Sequence, residues 1–453
     1  MSFRVKYLIF SIAIAGNLRS LAQDSTLINK TLRWNLQQCI EYAKKNNIQI
    51  NTLRLSQKIA KQEYLLARAG RLPNLSGGAS QNFIHQDRRG NVALVNGNSV
   101  VTGGGSGITS SGQYALNSSV TLYNGNYINN NIVQKNLDVE SASLNIIQQE
   151  NDITLQITQA YLVVLQDKEN IITDTSVVNT SQAQVKLEQQ RYDVGAAAKK
   201  DLIQLQAQNA TDRYNLTNAI NTEKADLLTL KQLLLLPTDA DFDITRPDTL
   251  VVPNIVSVPL RSTEDTAFKY RPEIKNGQLG VDIAQYGVKL ARAGYKPILT
   301  AGGAIGSQYA SGSPYFAQLN NNFYQQIGLT LSIPIFTRRS VKTQVEEAKI
   351  NVDQAQLNFN NTRITLSQEV ERAFLDVQNA QSQYDAANVQ LKFNQENYRI
   401  AAEQLKIGAV NTVDFLVEKT AYVQAEQAFI QAKYNLLLTQ KIYDFYRGVP
   451  ITL

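Results

Sequence analysis

The sequence has very few of the residues that build most catalytic and metal sites. It contains one histidine, one cysteine and one methionine in 453 residues. A single histidine, His85, cannot supply a histidine-based metal cluster or catalytic triad. Cys39 cannot form an internal disulfide, and we interpret it as a small buried apolar residue. Because no glycine-rich phosphate loop precedes a helix either, we predict that the chain is not an enzyme and holds neither cofactor nor metal.

Charge of one sign and long apolar runs are also scarce. The formal net charge of +6 is too small to predict a nucleic-acid partner. After residue 22, no segment approaches the roughly 20 apolar residues that a membrane helix needs. The N-terminus combines basic residues, an apolar core and small residues before a cleavage point: Arg4, Lys6, Tyr7 to Ala15, Ser20 and Ala22. This pattern predicts a secretory signal peptide over residues 1–22; the alternative is a buried first helix.

Proline is absent from Asn126 to Leu236, where Gly195 is the only glycine. Inside a helix, proline costs about 3 kcal/mol and glycine about 1 kcal/mol. The stretch therefore predicts a continuous helix up to Gly195 and a return helix after it. At about 1.5 Å per residue, the first arm from Tyr127 to Tyr192 would extend roughly 100 Å. A compact globular domain does not accommodate such a hairpin.

The hairpin occurs twice, which indicates an internal duplication. Arg191 to Ala196 and Val120 to Tyr123 align with Gln404 to Ala409 and Ile333 to Phe336 at one constant spacing of 213 residues. The two long arms are therefore predicted to be equal in length. A further match joins Leu66 to Gly70 with Leu290 to Gly294. The predicted organisation is a signal peptide (1–22), a first repeat (23–236), an equatorial linker (237–262) and a second repeat (263–453).

Each repeat begins with a shorter helix and two strands. The first helix is predicted from Leu36 to just before Gly70, and the second from Thr263 to Ala291 with a break at Arg271 to Glu273. Apolar and polar residues then alternate. The four predicted strands are Leu75 to Phe83, Tyr114 to Leu122, Leu299 to Tyr309 and Phe323 to Ile333. Between the first two, Gly90 to Gly112 is predicted to be a flexible loop.

The predicted strands have the length and the single apolar face of outer-membrane strands. Aromatic residues near their ends are placed for interfacial girdles: Phe83, Tyr114, Tyr123, Tyr309, Tyr315, Phe316 and Phe323. A closed barrel needs about eight strands, so several chains would have to share one barrel. The alternative is a small soluble sheet that caps a helical bundle.

The second long arm, Val341 to Leu405, has an apolar residue at every seventh position, with one four-residue step. The series is Val345, Val352, Phe359 and Leu366, then Val370, Val377, Tyr384, Leu391, Tyr398 and Leu405. Sevenfold spacing predicts left-handed coiled-coil packing, and the step is a stutter that locally unwinds it. A two-stranded structural coiled coil would explain these heptads but not the strands.

Two carboxylates occupy equivalent positions at the predicted hairpin tips. Asp201 and Asp414 each follow a tip glycine, Gly195 or Gly408, by six residues. A carboxylate at the start of a return helix is favoured by the helix dipole. Alternatively, copies from several chains form a ring that selects cations in a narrow pore. The glycines are predicted to be left-handed turn residues.

The duplicated order of helix, two strands and long hairpin, with the motifs at Leu66, Leu290, Gly195 and Gly408, resembles the TolC family of outer-membrane efflux proteins (outer membrane factors). The resemblance covers essentially the whole mature chain. It implies a mainly α fold in which long helical hairpins form a trimeric α-barrel. It also implies a transmembrane β-barrel of 12 strands, four from each chain, and an equatorial belt formed by the linker and the termini.

The resemblance also assigns roles at the tips. Asp414 matches an aspartate that rings the closed periplasmic entrance, and the position of its acidic companion is Val417 here. Asp201 matches the acidic partner of a closing interaction whose arginine and tyrosine correspond to Val410 and Leu405. Two members of that lock are therefore missing.

If the entrance closes in this protein, other contacts hold it, and Lys199 and Lys200 are candidates. The resemblance further implies that a periplasmic adaptor (membrane fusion) protein docks on the tips. The tip residues are Val194, Gly195, Ala196, Lys199, Lys200, Ile407, Gly408 and Ala409.

The function implied by the resemblance is that of an exit duct in the outer membrane of a Gram-negative bacterium, extending into the periplasm. Such a duct belongs to a tripartite efflux or type I secretion system and conducts substrates passively from periplasm to exterior. Its expected partners are two further copies of the chain, an adaptor, an inner-membrane pump and outer-membrane lipid, with no nucleic acid. The alternative is a non-conducting periplasmic coiled-coil scaffold.

Overall fold

The structure is a computed structural model that describes residues 32–88, 91–95, 98–102, 105–247, 259–310 and 314–452. The predicted signal peptide (1–22) and residues 248–258 of the predicted linker lie outside these ranges. The described chain is mostly helical.

The secondary-structure elements follow the predicted order twice. The first half contains β1 (Leu32–Trp34), α1 (Leu36–Asn46), α2 (Ile48–Ala69), β2 (Asn74–Arg88), β3 (Asn91–Val95), β4 (Asn98–Thr102), β5 (Gly105–Asn124), α3 (Tyr127–Asp193), α4 (Lys199–Leu233) and β6 (Phe242–Ile244). The second half contains α5 (Leu260–Tyr270), α6 (Pro272–Ala293), β7 (Ile298–Ala310), α7 (Tyr315–Asn321), β8 (Tyr324–Ser332), α8 (Ser340–Lys406) and α9 (Thr412–Tyr446).

The two hairpins have identical element lengths, which confirms the predicted equality of the arms. Helices α3 and α8 each contain 67 residues, and α4 and α9 each contain 35. At about 1.5 Å per residue these are roughly 100 Å and 50 Å long. No helix among the described residues is both long enough and apolar enough to cross a membrane.

The strands and helices form one continuous wall. The main sheet has the antiparallel order β2-β5-β7-β8. Below it, α2 packs against α3, α3 against α6, and α6 against α8. Each of these helices directly precedes or follows one strand of the main sheet, so the helices have the same order as the strands. Nearer the tips, α4 packs against α3, and α9 lies between α3 and α8. The described wall is thus four helices wide both below the sheet and near the tips.

Register places the four predicted apolar faces on the same side of the sheet. Leu116 of β5 lies opposite Gly77 of β2 and Ile305 of β7. On β8, Ile327 lies opposite Gly303, two residues along β7 from Ile305 and therefore on the same face. This face is open to the surroundings, since Ile327 is 93% exposed.

Two predictions about the connections are wrong. Gly90 to Gly112 is not one flexible loop, because β3 pairs with β4 in antiparallel register and β5 already begins at Gly105. Valine favours strands, and Val92 lies opposite Val101. The first rising helix is not continuous either, because it is interrupted at Asn47. The Asn47 side chain accepts a hydrogen bond from the Ile50 amide at 3.1 Å and so caps α2.

The break predicted in the second rising helix is confirmed, since α5 ends at Tyr270 and α6 begins at Pro272. In the predicted linker, β6 pairs in parallel with β1. This small sheet joins the main core, where Cys39 is buried as predicted. Burial raises the pKa of the Cys39 thiol to about 12, so it stays protonated and behaves as an apolar side chain.

Candidate functional site at the hairpin tips

Both tip glycines adopt the left-handed conformation predicted for them. Their φ angles are +76° at Gly195 and +73° at Gly408. The amide of Ala196 donates to the Arg191 carbonyl at 2.8 Å, and that of Ala409 to the Gln404 carbonyl at 2.9 Å. These bonds close each long helix in a Schellman motif. The backbone angle at each position therefore favours glycine.

Asp201 and Asp414 are each the third residue of a return helix, but their surroundings differ. The Asp414 amide donates to Asn411 Oδ1 at 2.9 Å, while Asn411 Nδ2 donates to Asp414 Oδ2 at 2.7 Å. In the other hairpin the helix begins after Ala198, whose side chain offers no cap. Asp201 is half-buried, whereas Asp414 is exposed. Both carboxylates lie where the helix dipole favours a negative charge.

An apolar cluster joins the two tips. At its centre are Leu205 of α4, Ala401 of α8 and Phe415 of α9, and Phe415 is completely buried. Leu405 and Val410, the positions of the two missing lock residues, are partly buried against this cluster. The structure thus places apolar packing where the resemblance would place a polar interaction. Sequence reasoning did not find this cluster, because Leu205 reaches it from α4, which is distant in sequence from α8 and α9.

One polar contact also connects the hairpins at the tips. Arg191 Nη1 of the first hairpin donates to the Leu405 carbonyl of the second at 3.4 Å, and it lies 3.6 Å from Glu188 Oε2. This arginine is three residues from the predicted tip segment and was not predicted as a site residue.

The outermost surface of the tips combines apolar and basic side chains. Val194 and Ile407 occupy equivalent positions in the two hairpins and are 79% and 80% exposed. Lys199 and Lys200, which follow in the first hairpin, are exposed too. The remaining predicted tip residues, Gly195, Ala196, Gly408 and Ala409, are exposed as well. This surface is available for docking in the single chain.

Above the tips, one row of buried residues on α3 is polar, a feature that sequence reasoning missed. Four buried residues recur every seven positions: Asp167, Asp174, Ser181 and Glu188. The equivalent residues of α8 are Ala380, Ala387, Asn394 and Ala401. The detectable signal was the sevenfold spacing of this row, in which α3 has three acidic residues and a serine where α8 has three alanines and an asparagine.

Burial raises the pKa of Asp174. It also raises the pKa of Asp167 to about 7, with further contributions from the neighbouring carboxylates Asp226 and Glu223. The first hairpin therefore holds acidic groups for which ionisation is unfavourable. Within the described ranges, no group of three or more histidine, cysteine, aspartate or glutamate residues is placed to hold a metal ion.

Comparisons with known proteins identify the family. The family model for outer membrane efflux proteins matches residues 39–234 and 265–441. The chain is 25% identical to toxin and drug export protein A of Aggregatibacter actinomycetemcomitans over 69% of its own length and 65% of that protein's length. It is 24% identical to the toluene efflux pump outer membrane protein TtgC of Pseudomonas putida over 89% of its own length and 81% of TtgC.

The fold is that of solved outer-membrane channels. A crystal structure of CusC superposes with a TM-score of 0.77 at 17% identity, covering 95% of this chain and 96% of CusC. The family consists of outer membrane efflux proteins and not of enzymes. The predicted resemblance is confirmed: this chain belongs to the outer membrane efflux protein family, whose place is the outer membrane of Gram-negative bacteria.

Proposed function

We propose that three copies of this chain form a passive exit duct of a tripartite efflux or type I secretion system. The observation that carries the proposal is the wall, in which strands and helices share one order and both edges are open. Among the described strands, β2 and β8 each have one neighbour in the main sheet. An open edge of unpaired backbone groups favours pairing with another chain.

Further copies of the chain would pair with the open strand edges and cover the exposed apolar residues at the helical edges. Four strands are too few for a barrel, whereas three chains supply 12, more than the minimum of about eight. At the helical edges, α2 exposes Ile48, Leu55, Ile59 and Leu66, and α8 exposes Ile350, Leu357 and Ile364. We infer that β2 and α2 of one copy pack against β8 and α8 of the next. The upper part then spans the outer membrane, and the hairpins extend into the periplasm.

The tips supply the proposed periplasmic entrance and docking surface. Three exposed Asp414 carboxylates, supported by Asp201, would form a ring that selects cations. The exposed Val194 and Ile407, with Lys199 and Lys200, would form the surface for a periplasmic adaptor that links the duct to an inner-membrane pump. Two relatives, toxin and drug export protein A and TtgC, are named for export or efflux, which supports this role. The proposed duct chain consists of two structural repeats, residues 23–236 and 263–453, joined by an equatorial linker, residues 237–262.

Single-channel conductance of the purified protein in planar bilayers tests the proposal. We expect a small, cation-selective conductance that a trivalent cation blocks from the tip side. Asp414→Asn removes the charge while preserving the side-chain shape, so it should reduce the cation selectivity and weaken the block. Glu347→Gln is the matched control, since it neutralises an exposed carboxylate near the opposite end of the long α8 helix.

The outcomes separate the duct from the carboxylate ring. If trimers insert and conduct but Asp414→Asn has the same cation selectivity and the same block as wild type, the duct proposal holds and the carboxylate ring is wrong. Absence of both insertion and current would favour the periplasmic scaffold instead.

A further inference from the structure

The turn between the sheet and α8 contains two arginines in the left-handed backbone conformation. Arg338 and Arg339 have φ angles of +48° and +72°. Across them, the Ser340 amide donates to the Thr337 carbonyl at 2.9 Å. A turn with positive φ at both central positions favours glycine, asparagine or aspartate there. A side chain with a Cβ atom is strained in this conformation.

The first repeat shows which residues suit this turn. At the internal spacing of 213 residues, the equivalents of Arg338 and Arg339 are Gly125 and Asn126, whose φ angles are +66° and +68°. The second repeat therefore has arginines where the backbone favours glycine and asparagine. Backbone strain of this kind indicates that the side chains have a role, and both arginines are exposed.

The two arginines lie directly below the apolar part of the sheet. After β8, exposed apolar residues continue with Ile333, Ile335 and Phe336, and the next charged residue is Arg338. No lysine, arginine, aspartate or glutamate occurs from residue 297 to residue 337. In the proposed duct this uncharged segment crosses the membrane, so the arginines lie at its periplasmic boundary.

The surroundings of the turn are positive. Residues 283–345 contain six lysines and arginines but no aspartate or glutamate. The first acid along α8 is Glu346, which is bound by Lys349 at 2.9 Å. The pKa of Glu346 lies below its usual range because Lys349 donates a hydrogen bond to it and because Lys342 and Arg292 lie nearby. Helix α8 begins without a capping side chain and without an acid in its first turn, so the positive end of its dipole is uncompensated as well.

Lys342 indicates that this positive surface lies on the outer side of the wall. It lies three heptads before Arg363 on α8, so the two side chains share one side of the helix. The Arg363 guanidinium packs over the Phe268 ring of α5, 5.0 Å from its centroid. Since a conducting lumen must stay clear, the side of the wall that carries α5 is the outer side of the proposed duct.

The neighbouring copy brings further positive charge and no counter-charge. In the proposed closure, α2 and β2 of the next copy pack against α8 and β8. Residues 64–86, which join α2 to β2, include the exposed Arg68 and Arg71 but no acid. Arg71 donates to the neutral Asn129 side chain at 2.8 Å. Cations of both copies therefore meet at the boundary, where they repel each other unless an anion from outside the protein lies between them.

We propose that each boundary between two copies binds the phosphate group of an anionic phospholipid, through Arg338, Arg339 and Lys342 of one copy and Arg68 and Arg71 of the next. Arginine forms bidentate hydrogen bonds with phosphate, and basic clusters at a membrane surface attract anionic lipids. The lipid belongs to the leaflet that faces the periplasm, and its acyl chains lie against the apolar face of the sheet. This inference rests on the proposed function, because the site is complete only when copies of the chain close the barrel.

Native mass spectrometry of the purified full-length protein in detergent tests the site, because it counts the lipids that each trimer retains. The probes are phosphatidylglycerol, phosphatidylcholine with the same acyl chains, and inorganic phosphate. The test variant Arg338→Gly/Arg339→Asn introduces the residues of the first repeat and removes two charges. The matched control Lys392→Gln/Arg399→Gln removes two charges from exposed positions nearer the tips on the same helix.

We expect each wild-type trimer to retain phosphatidylglycerol at every boundary between copies and to prefer this lipid to phosphatidylcholine. A basic residue near an anionic lipid surface contributes roughly a fivefold gain in affinity, so the test variant should bind phosphatidylglycerol roughly 25-fold more weakly. The control variant should bind it like wild type. Without lipid, the unfolding midpoint of the test variant should rise, because glycine and asparagine relieve the strain in the turn.

Equal affinity of wild-type trimers for the two lipids, or equal weakening in the test and control variants, would overturn the lipid site while the trimers still support the duct. Displacement of phosphatidylglycerol by inorganic phosphate at the same concentration would indicate a site for free anions, which also overturns it. A lower unfolding midpoint in the test variant would show that the arginines stabilise the turn, which contradicts strain retained for binding. Absence of trimers would overturn the proposed duct together with the site.

Discussion

Lys419 of α9 and Asp212 of α4 form a buried ion pair between the two hairpins. Lys419 Nζ lies 2.5 Å from Asp212 Oδ2, and the two side chains are only 3% and 5% exposed. Gln208 Nε2 donates to the other oxygen of Asp212 at 2.8 Å. Because α4 and α9 otherwise touch little, this pair is a principal direct connection between the two return helices.

Removing one partner of this pair should be strongly destabilising. Lys419→Met leaves the Asp212 carboxylate buried without compensation, a change that costs about 3–5 kcal/mol. The double variant Lys419→Met/Asp212→Leu should recover most of this loss, since apolar residues of similar volume often replace a buried pair without cost. Denaturant unfolding followed by the helical circular dichroism signal measures both.

The exposed pair Arg399 and Glu396 on α8, 2.7 Å apart, supplies the control. Arg399→Met should leave the unfolding midpoint nearly unchanged, because water solvates the remaining carboxylate. Equal effects of Lys419→Met and Arg399→Met would contradict the importance of burial.

Asp167 should make the first hairpin less stable as pH rises. Its carboxyl is buried beside Asp226 and Glu223 of α4, while Lys168 is bound by Glu223 and by Asp243 of β6. Its pKa rises from 3.8 to about 7 on folding, so the folded state binds the proton more tightly than the unfolded state. The contribution to the free energy of unfolding is therefore full below about pH 4, falls between about pH 4 and 7, and stays constant above.

Asp167→Asn should remove this pH dependence and raise the melting temperature at pH 8 relative to wild type. Glu169→Gln is the control. Glu169 binds Lys433 of α9, so this change leaves the Asp167 cluster unchanged. Thermal unfolding at pH 5 and pH 8 measures the difference. An unchanged slope in Asp167→Asn would show that this carboxyl is not responsible.

Alanine at either tip glycine should destabilise its hairpin by about 1–2 kcal/mol, the cost of a left-handed backbone for a residue with a Cβ atom. No atom lies within 4 Å of a Cβ built at Gly195 or Gly408, so the cost comes from the backbone angle and not from a clash. Asparagine tolerates this conformation better and should cost less at both sites. Chemical unfolding of the four variants tests this order, and equal effects of alanine and asparagine would contradict it.

The two return helices should respond oppositely to changes at their first caps. Asn411→Ala removes the cap of α9 and should cost about 1 kcal/mol. Ala198 precedes α4 with a similar extended backbone, φ −77° and ψ 143°, but has no capping side chain. Ala198→Asn should therefore stabilise α4 by a similar amount. Hydrogen exchange of the amides in the first turn of each helix measures both changes, and faster exchange in Ala198→Asn would be contrary to expectation.

Much of the fold was predictable because its signals are local. Exclusion of proline and glycine predicted the arm that ends at Asp193, internal duplication predicted the equal arm that ends at Lys406, and period-two alternation predicted four strands. The interruption at Asn47 was not predictable from apolar periodicity, since the same spacing continues on both sides of the cap. The β3 and β4 hairpin was missed because glycine and serine outweighed the valines in the interpretation of that segment.

In the candidate site, too, the features with local signals were predictable and the contacts between distant segments were not. The φ angles of Gly195 and Gly408 follow from their position after a long helix, and Asp201 and Asp414 were located by internal repetition. The sequence alone did not predict that Leu405 and Val410 join one apolar cluster, because the cluster also contains Val185 and Leu205 of the first hairpin.

By itself, the sequence determined the long helical arms, the four strands of the main sheet, which face of each of these strands is apolar and that the chain is duplicated, because backbone propensity and periodicity act over a few residues. Tertiary structure decided the order of the wall, the position of α9 between α3 and α8, and the meeting of Lys419 with Asp212, 207 residues earlier. Contacts over such separations form only when several helices are buried together, and no local pattern of residues encodes which helices will meet.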